Sequence, residues 1–72
     1  MDKVGNGKRL RELRGKRSRR EVAEALNISE SALAMYELGQ RNPRDETKEA
    51  ISDFYGVSIG DIFYRGKVTK SD

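Results

Sequence analysis

The sequence predicts an all-α domain of five short helices around one core, and three observations carry that reading. Apolar residues recur three and four positions apart through most of the chain, the repeat of a helix buried along one side. Capping residues and glycines interrupt that repeat at short intervals, as they do where one helix ends and another begins. No period-two alternation of apolar and polar residues competes with it, apart from Lys67-Val68-Thr69 near the end. The chain has 72 residues, enough for one domain and one modest core. A domain of that size buries only about 60% of its unfolded surface.

The first helix runs from about Gly7 to Arg14, with Leu10 and Leu13 three apart, and Gly15 is its C-terminal breaker. Ser18 to Glu21 fits a capping box that opens the second helix: the Ser18 hydroxyl accepts from the Glu21 N–H. That helix carries Val22, Ala23 and Leu26 on one face and ends near Asn27, a residue tolerant of the left-handed conformation. Ser29 caps the third helix, Glu30 offsets its dipole, and Ile28 with Leu33 forms a hydrophobic staple. Leu33 and Tyr36 continue its apolar face to Gly39. A polar connection, Gln40-Arg41-Asn42, leads to the fourth helix, with Asn42 as cap and Pro43 at the first helical position. It buries Thr47, Ala50, Ile51 and Phe54 and stops at Gly56. Ser58, with Asp61 three residues on, starts a short fifth helix that holds Ile59, Ile62 and Phe63. The expected core is Leu10, Leu13, Val22, Ala23, Leu26, Ile28, Leu33, Tyr36, Ala50, Ile51, Phe54, Val57, Ile62 and Phe63. Residues 1–64 form the expected domain and residues 65–72 a polar tail.

Composition removes several function classes. There is no cysteine and no histidine, so disulfides, thiolate metal sites and the side chain best suited to proton transfer at neutral pH are all missing. Ser18, Ser29 and Ser31 fall at caps or on surfaces without a base, the carboxylates are scattered, and Gly5-Asn6-Gly7 is too short to cradle phosphate. No enzyme, metal, cofactor or small-molecule ligand is expected. No apolar run approaches the roughly 20 residues of a membrane span, and the N-terminal residues lack the apolar stretch of a secretory signal. A cytoplasmic protein without membrane contact is the expectation. The net charge is only +3, but residues 1–20 hold nine Lys or Arg against two acids, and residues 21–72 six against ten. A basic front half either solvates one helix or meets a polyanion, nucleic acid first.

The informative unit lies at about residues 18–39. Only about three residues, Asn27 to Ser29, separate the second helix from the third, so the two must cross steeply. That is the helix-turn-helix arrangement, which presents its second helix as a rod of the width a major groove accepts. Arg19-x-x-Val22-Ala23, Asn27-Ile28-Ser29, Leu33-x-x-Tyr36-Glu37-x-Gly39 and Arg41-Asn42-Pro43 together resemble the phage-repressor type of helix-turn-helix domain. This is the Cro and lambda-repressor superfamily, which also includes regulators of the xenobiotic-response-element type. The resemblance runs from about Gly7 to Phe63 and implies a compact lambda-repressor-like fold. The end of the chain is similar to short stand-alone members from Gram-positive bacteria and their phages.

The resemblance assigns roles. Arg19 stands where most members place Gln, at a position that contacts a DNA phosphate; Arg binds phosphate well, so it either keeps the role with more charge or is a solvated residue at the helix N-terminus, unfavourable to the dipole. Ser29, Arg41, Asn42 and Arg44 are the other phosphate candidates, with Lys8, Arg9 and Arg11 weaker ones. The bland alternative for Arg41 and Asn42 is an ordinary polar turn. Glu30, Ser31, Ala32 and Met35 occupy the positions that meet base edges. Glu30 either accepts from a cytosine amino group or only compensates the dipole. Ala32 and Met35 either pack on a thymine methyl or, with Ala34, on protein. Glu37 resembles the family's buried acid that pairs with an Arg late in the first helix, here Arg14. The function implied is a transcription regulator, a repressor that binds double-stranded DNA at a palindromic operator as a homodimer. Its recognition helix is 29–38, and its dimer contact comes from Ile59, Phe63, Tyr64 and, in the tail, Val68. The alternative is a helix-turn-helix-shaped protein-interaction module, antitoxin-like or coactivator-like, which the apolar Ala32, Ala34 and Met35 support.

Overall fold

In the computed structural model, which describes residues 3–63, the helices follow one another as α1 (Lys3–Arg14), α2 (Arg19–Leu26), α3 (Glu30–Glu37), α4 (Asp45–Tyr55) and α5 (Ile59–Phe63). No strand occurs among the described residues. Tyr64 and the 65–72 tail, with Val68 and the Lys67-Val68-Thr69 pattern, lie outside them.

The helix ends obey local chemistry. Ser18 and Ser29 are N-caps whose hydroxyl oxygens accept from the Glu21 and Ala32 N–H groups, each at 3.0 Å. Ser58 does the same for Asp61 at 3.1 Å. Asn27, at φ 61°, turns the chain out of α2, and Gly39, at φ 75°, turns it after α3, conformations that most side chains resist.

Two boundaries move from their expected places. α1 begins at Lys3, not near Gly7, because Gly7 is a packing residue and not a helix end. A Cβ there would lie 2.7 Å from the Tyr36 carbonyl oxygen and press on the Glu37 carbonyl as well. Only glycine allows α1 and α3 so close. α4 begins at Asp45, with Arg44 in the cap position and no side-chain cap bond, so Asn42 and Pro43 do not start it. Pro43 is buried in the connection, and Asp45 and Glu46 compensate the dipole of the first turn.

One buried cluster, Leu10, Val22, Ala23, Leu26, Leu33, Tyr36, Ile51, Ile62 and Phe63, joins all five helices. Full burial of each large member is worth about 1.5–3 kcal/mol. Leu13, Ile28, Ala50 and Val57 flank it, half-buried. Phe54, expected in the core, is 38% exposed. α4 is turned so that Lys48, Ile51 and Tyr55 face inward, which carries Phe54 about one residue's rotation, ~100°, toward solvent. The Arg17 guanidinium lies over both aromatic rings, 5.4 Å from Phe54 and 5.8 Å from Tyr55. Lys48 buries its stem and sets its ammonium 5.3 Å from the Phe63 ring. Phe63 is a buried core residue and not part of an exposed dimer contact, because α5 turns its ring inward with Ile62. Ile59 is half-buried against the same core.

Candidate nucleic-acid interface

α2 and α3 meet through the 27–29 turn. The Ile28 N–H donates to Ala23 O at 3.0 Å and the Asn27 N–H to Glu24 O at 3.1 Å, closing α2 with backbone bonds. The Ser29 cap then restarts the helix at once. Leu33, Tyr36 and Glu37 take the inner side of α3. Glu30 and Ser31 are exposed, and Ala34 and Met35 are half-buried. Ala32 packs against the core cluster, so it lies at the flank of the outward face and not on its crest.

Glu37 organises the arginines. Its side chain is 0% exposed, and Arg14 grips both carboxylate oxygens, Nε to Oε2 at 2.8 Å and Nη2 to Oε1 at 3.1 Å. The remaining arm of Arg14, Nη1, donates to Arg17 O at 2.8 Å, which ties down the α1–α2 loop. These hydrogen bonds to Glu37 hold the Arg14 guanidinium above its ordinary value, against the opposing effect of burial. Arg19 reaches the same carboxylate, Nε to Oε1 at 3.1 Å. The two differ in what remains available. The Arg14 side chain is 18% exposed with both terminal nitrogens engaged, whereas that of Arg19 is 39% exposed and meets Glu37 through Nε. Arg19 therefore belongs to the network around α3 and still presents donors at the surface.

Arg41 leaves the end of α3 with its guanidinium 5.9 Å from the centre of the Tyr36 ring. Asn42, Arg44 and Ser29 are exposed, and the Ser29 oxygen already serves its cap. Arg19 and Arg41 thus sit beside the last turn of α3, at Glu37 and Tyr36. Ile59 is on the separate α5.

Sequence reasoning missed three features. The Arg19–Glu37 contact spans 18 residues and has no local signal. Leu38 extends the outward side of α3 with a side chain 53% exposed; the 31, 35, 38 spacing alone would have revealed it. Tyr55, beside Phe54, comes near the arginine network. Burial pushes its phenol up from the ordinary value, the Glu37 charge adds to this, and Arg17 and Arg14 oppose it.

The helix-turn-helix family matches residues 8–62 of the chain. The HTH-type transcriptional regulator ImmR of Bacillus subtilis (strain 168) is 37% identical over 68 residues, 92% of this chain and 54% of its own length. The cryptic phage CTXphi transcriptional repressor RstR of Vibrio cholerae is 34% identical over 56 residues, 75% of this chain and 50% of its own. The chain spans about half the length of these curated relatives. No solved structure matches it significantly.

Proposed function

The chain belongs to the helix-turn-helix family, among its phage-repressor-like members, and from that premise we propose that it is a sequence-specific DNA-binding transcription regulator. It acts as a repressor on a palindromic operator, bound as a homodimer with α3 in the major groove of each half-site. The observation that carries this reading is the setting of α3, which leaves Glu30, Ser31 and the following Leu38 exposed and has the Arg19 and Arg41 guanidinium groups at its last turn. Arg19, Ser29, Arg41, Asn42 and Arg44 hold phosphates, which fixes register without reading sequence. Glu30, Ser31 and Met35 meet base edges, with Ala32 at the flank. One domain of this size makes few base contacts, and a dimer doubles them at half-sites about one helical turn apart. With Phe63 in the core, the dimer contact falls to Ile59 and Tyr64.

Selection of duplexes from a random library, then titration of the recovered duplex at several salt concentrations with sedimentation of the complex, tests this. The expected result is an inverted repeat bound by two chains, with log affinity falling linearly in log salt. Glu30→Ala is expected to relax one base position. If no motif emerges and binding stays weak at low salt, the operator reading fails. The protein-interaction reading, which the apolar residues on α3 support, then replaces it.

A further inference from the structure

A lone exposed leucine is ordinary, but the place of Leu38 is not. It is the most exposed large apolar side chain among the described residues. Its N–H donates to Ala34 O at 2.9 Å, so it keeps helical register past the end of α3. At ~100° per residue, Ser31, Met35 and Leu38 fall within about 60° of one another, opposite Leu33 and Tyr36. The latter two are buried. The outward crest of α3 carries one hydroxyl and two large apolar side chains, with no charge. Arg19 and Arg41 are held at Glu37 and Tyr36, in the turn from which Leu38 projects but on the sides of α3 away from the crest.

Chemistry narrows what such a crest can meet. Base edges in the major groove are hydrogen-bond donors and acceptors, with one apolar exception, the C5-methyl of thymine. An apolar side chain against any other edge would strip water from polar groups and return no hydrogen bond. The cations near that last turn favour a polyanion over an apolar protein surface. We infer that α3 reads thymine by methyl contact, with Leu38 and Met35 as specificity-determining residues. Each operator half-site then carries thymine opposite these two side chains. The inference rests on the DNA-binding reading above and adds the base class that the site selects.

The test uses the full chain and the duplex recovered from the random library. Each thymine of a half-site is replaced singly by uracil, which removes the methyl and keeps the base pair. Wild type is expected to bind about fourfold more weakly at one or two of these positions, equivalent to ~0.8 kcal/mol for one buried methyl. Leu38→Ala and Met35→Ala are expected each to bind the thymine and uracil duplexes alike at one such position, with unchanged salt slope and circular dichroism. If all uracil duplexes bind wild type as well as the parent does, the inference is overturned and the DNA-binding reading stands. The same holds if both variants keep the full penalty everywhere. If no duplex is recovered at all, both readings fall.

Discussion

Gly7→Ala sets helix propensity against tertiary packing, and the two give opposite signs. In an isolated helix the change is favourable by about 1 kcal/mol. Here the new Cβ would lie 2.7 Å from Tyr36 O and 2.8 Å from Glu37 C. Ordinary contacts lie near 3.5 Å, and the Glu37 carbonyl oxygen is nearer still, so α1 and α3 would have to part by about 1 Å. The obstructing atoms are backbone and cannot rotate aside. Separation would also stretch the Arg14–Glu37 bonds, which join the same two helices at 2.8 and 3.1 Å. Overpacking strain costs about 1–3 kcal/mol, and rigid obstruction argues for the upper end. After the propensity gain, the net loss is about 2 kcal/mol. A domain of this length has roughly 4–11 kcal/mol in all, and the loss corresponds to a fall in Tm on the order of 10 °C. The same substitution at Gly60 provides the control. A Cβ there meets nothing within 4 Å, so Gly60→Ala is expected to gain about 0.5–1 kcal/mol and raise Tm by a few degrees. Thermal unfolding followed by far-UV circular dichroism measures both. A Gly7→Ala protein that melts at or above the wild-type temperature would refute the close approach of α1 to α3.

The two arginines on Glu37 are expected to separate by readout. Arg14→Ala leaves a fully buried carboxylate with one partner and costs about 3 kcal/mol in urea unfolding. Arg19, 39% exposed, costs under about 1 kcal/mol when replaced by Ala. In DNA titrations, however, Arg19→Ala weakens all duplexes alike and lowers the salt slope by about 1. Equal stability losses for the two variants would count against this division. The Tyr55 hydroxyl is buried without a hydrogen-bond partner among the described residues, and such a group costs about 1–3 kcal/mol. Tyr55→Phe is therefore expected to be as stable as wild type at pH 7, or more stable by about 1 kcal/mol. Burial also raises the folded phenol above its ordinary 10.0, so the folded state holds that proton more tightly than the unfolded state does. This contribution is complete below pH 10 and is lost as pH rises through the folded value. Wild type should lose stability faster than Tyr55→Phe above pH 10, and parallel pH curves would contradict the assignment.

What the sequence determined by itself was whatever is settled within about four residues. The Ser18, Ser29 and Ser58 caps and the Asn27 turn were legible because a cap and its partner lie three residues apart, and helical spacing marked Val22, Leu26, Leu33 and Tyr36 as core. The short turn that joins α2 to α3 was legible in the same way. Tertiary structure decided what depends on a partner far along the chain. Gly7 is a packing residue only because α3 arrives against it, and α4 turns Tyr55 inward in place of Phe54 because Lys48 and Ile51 dock on the same side. Phe63 was assigned both to the core and to a dimer contact, and only the docking of α5 chose between them. Arg19 carries no local mark of its bond to Glu37, 18 residues away. Short-range hydrogen bonds and turns are fixed by neighbouring residues, whereas the helix faces that meet, and the side chains left outside like Leu38, depend on how complete elements pack together.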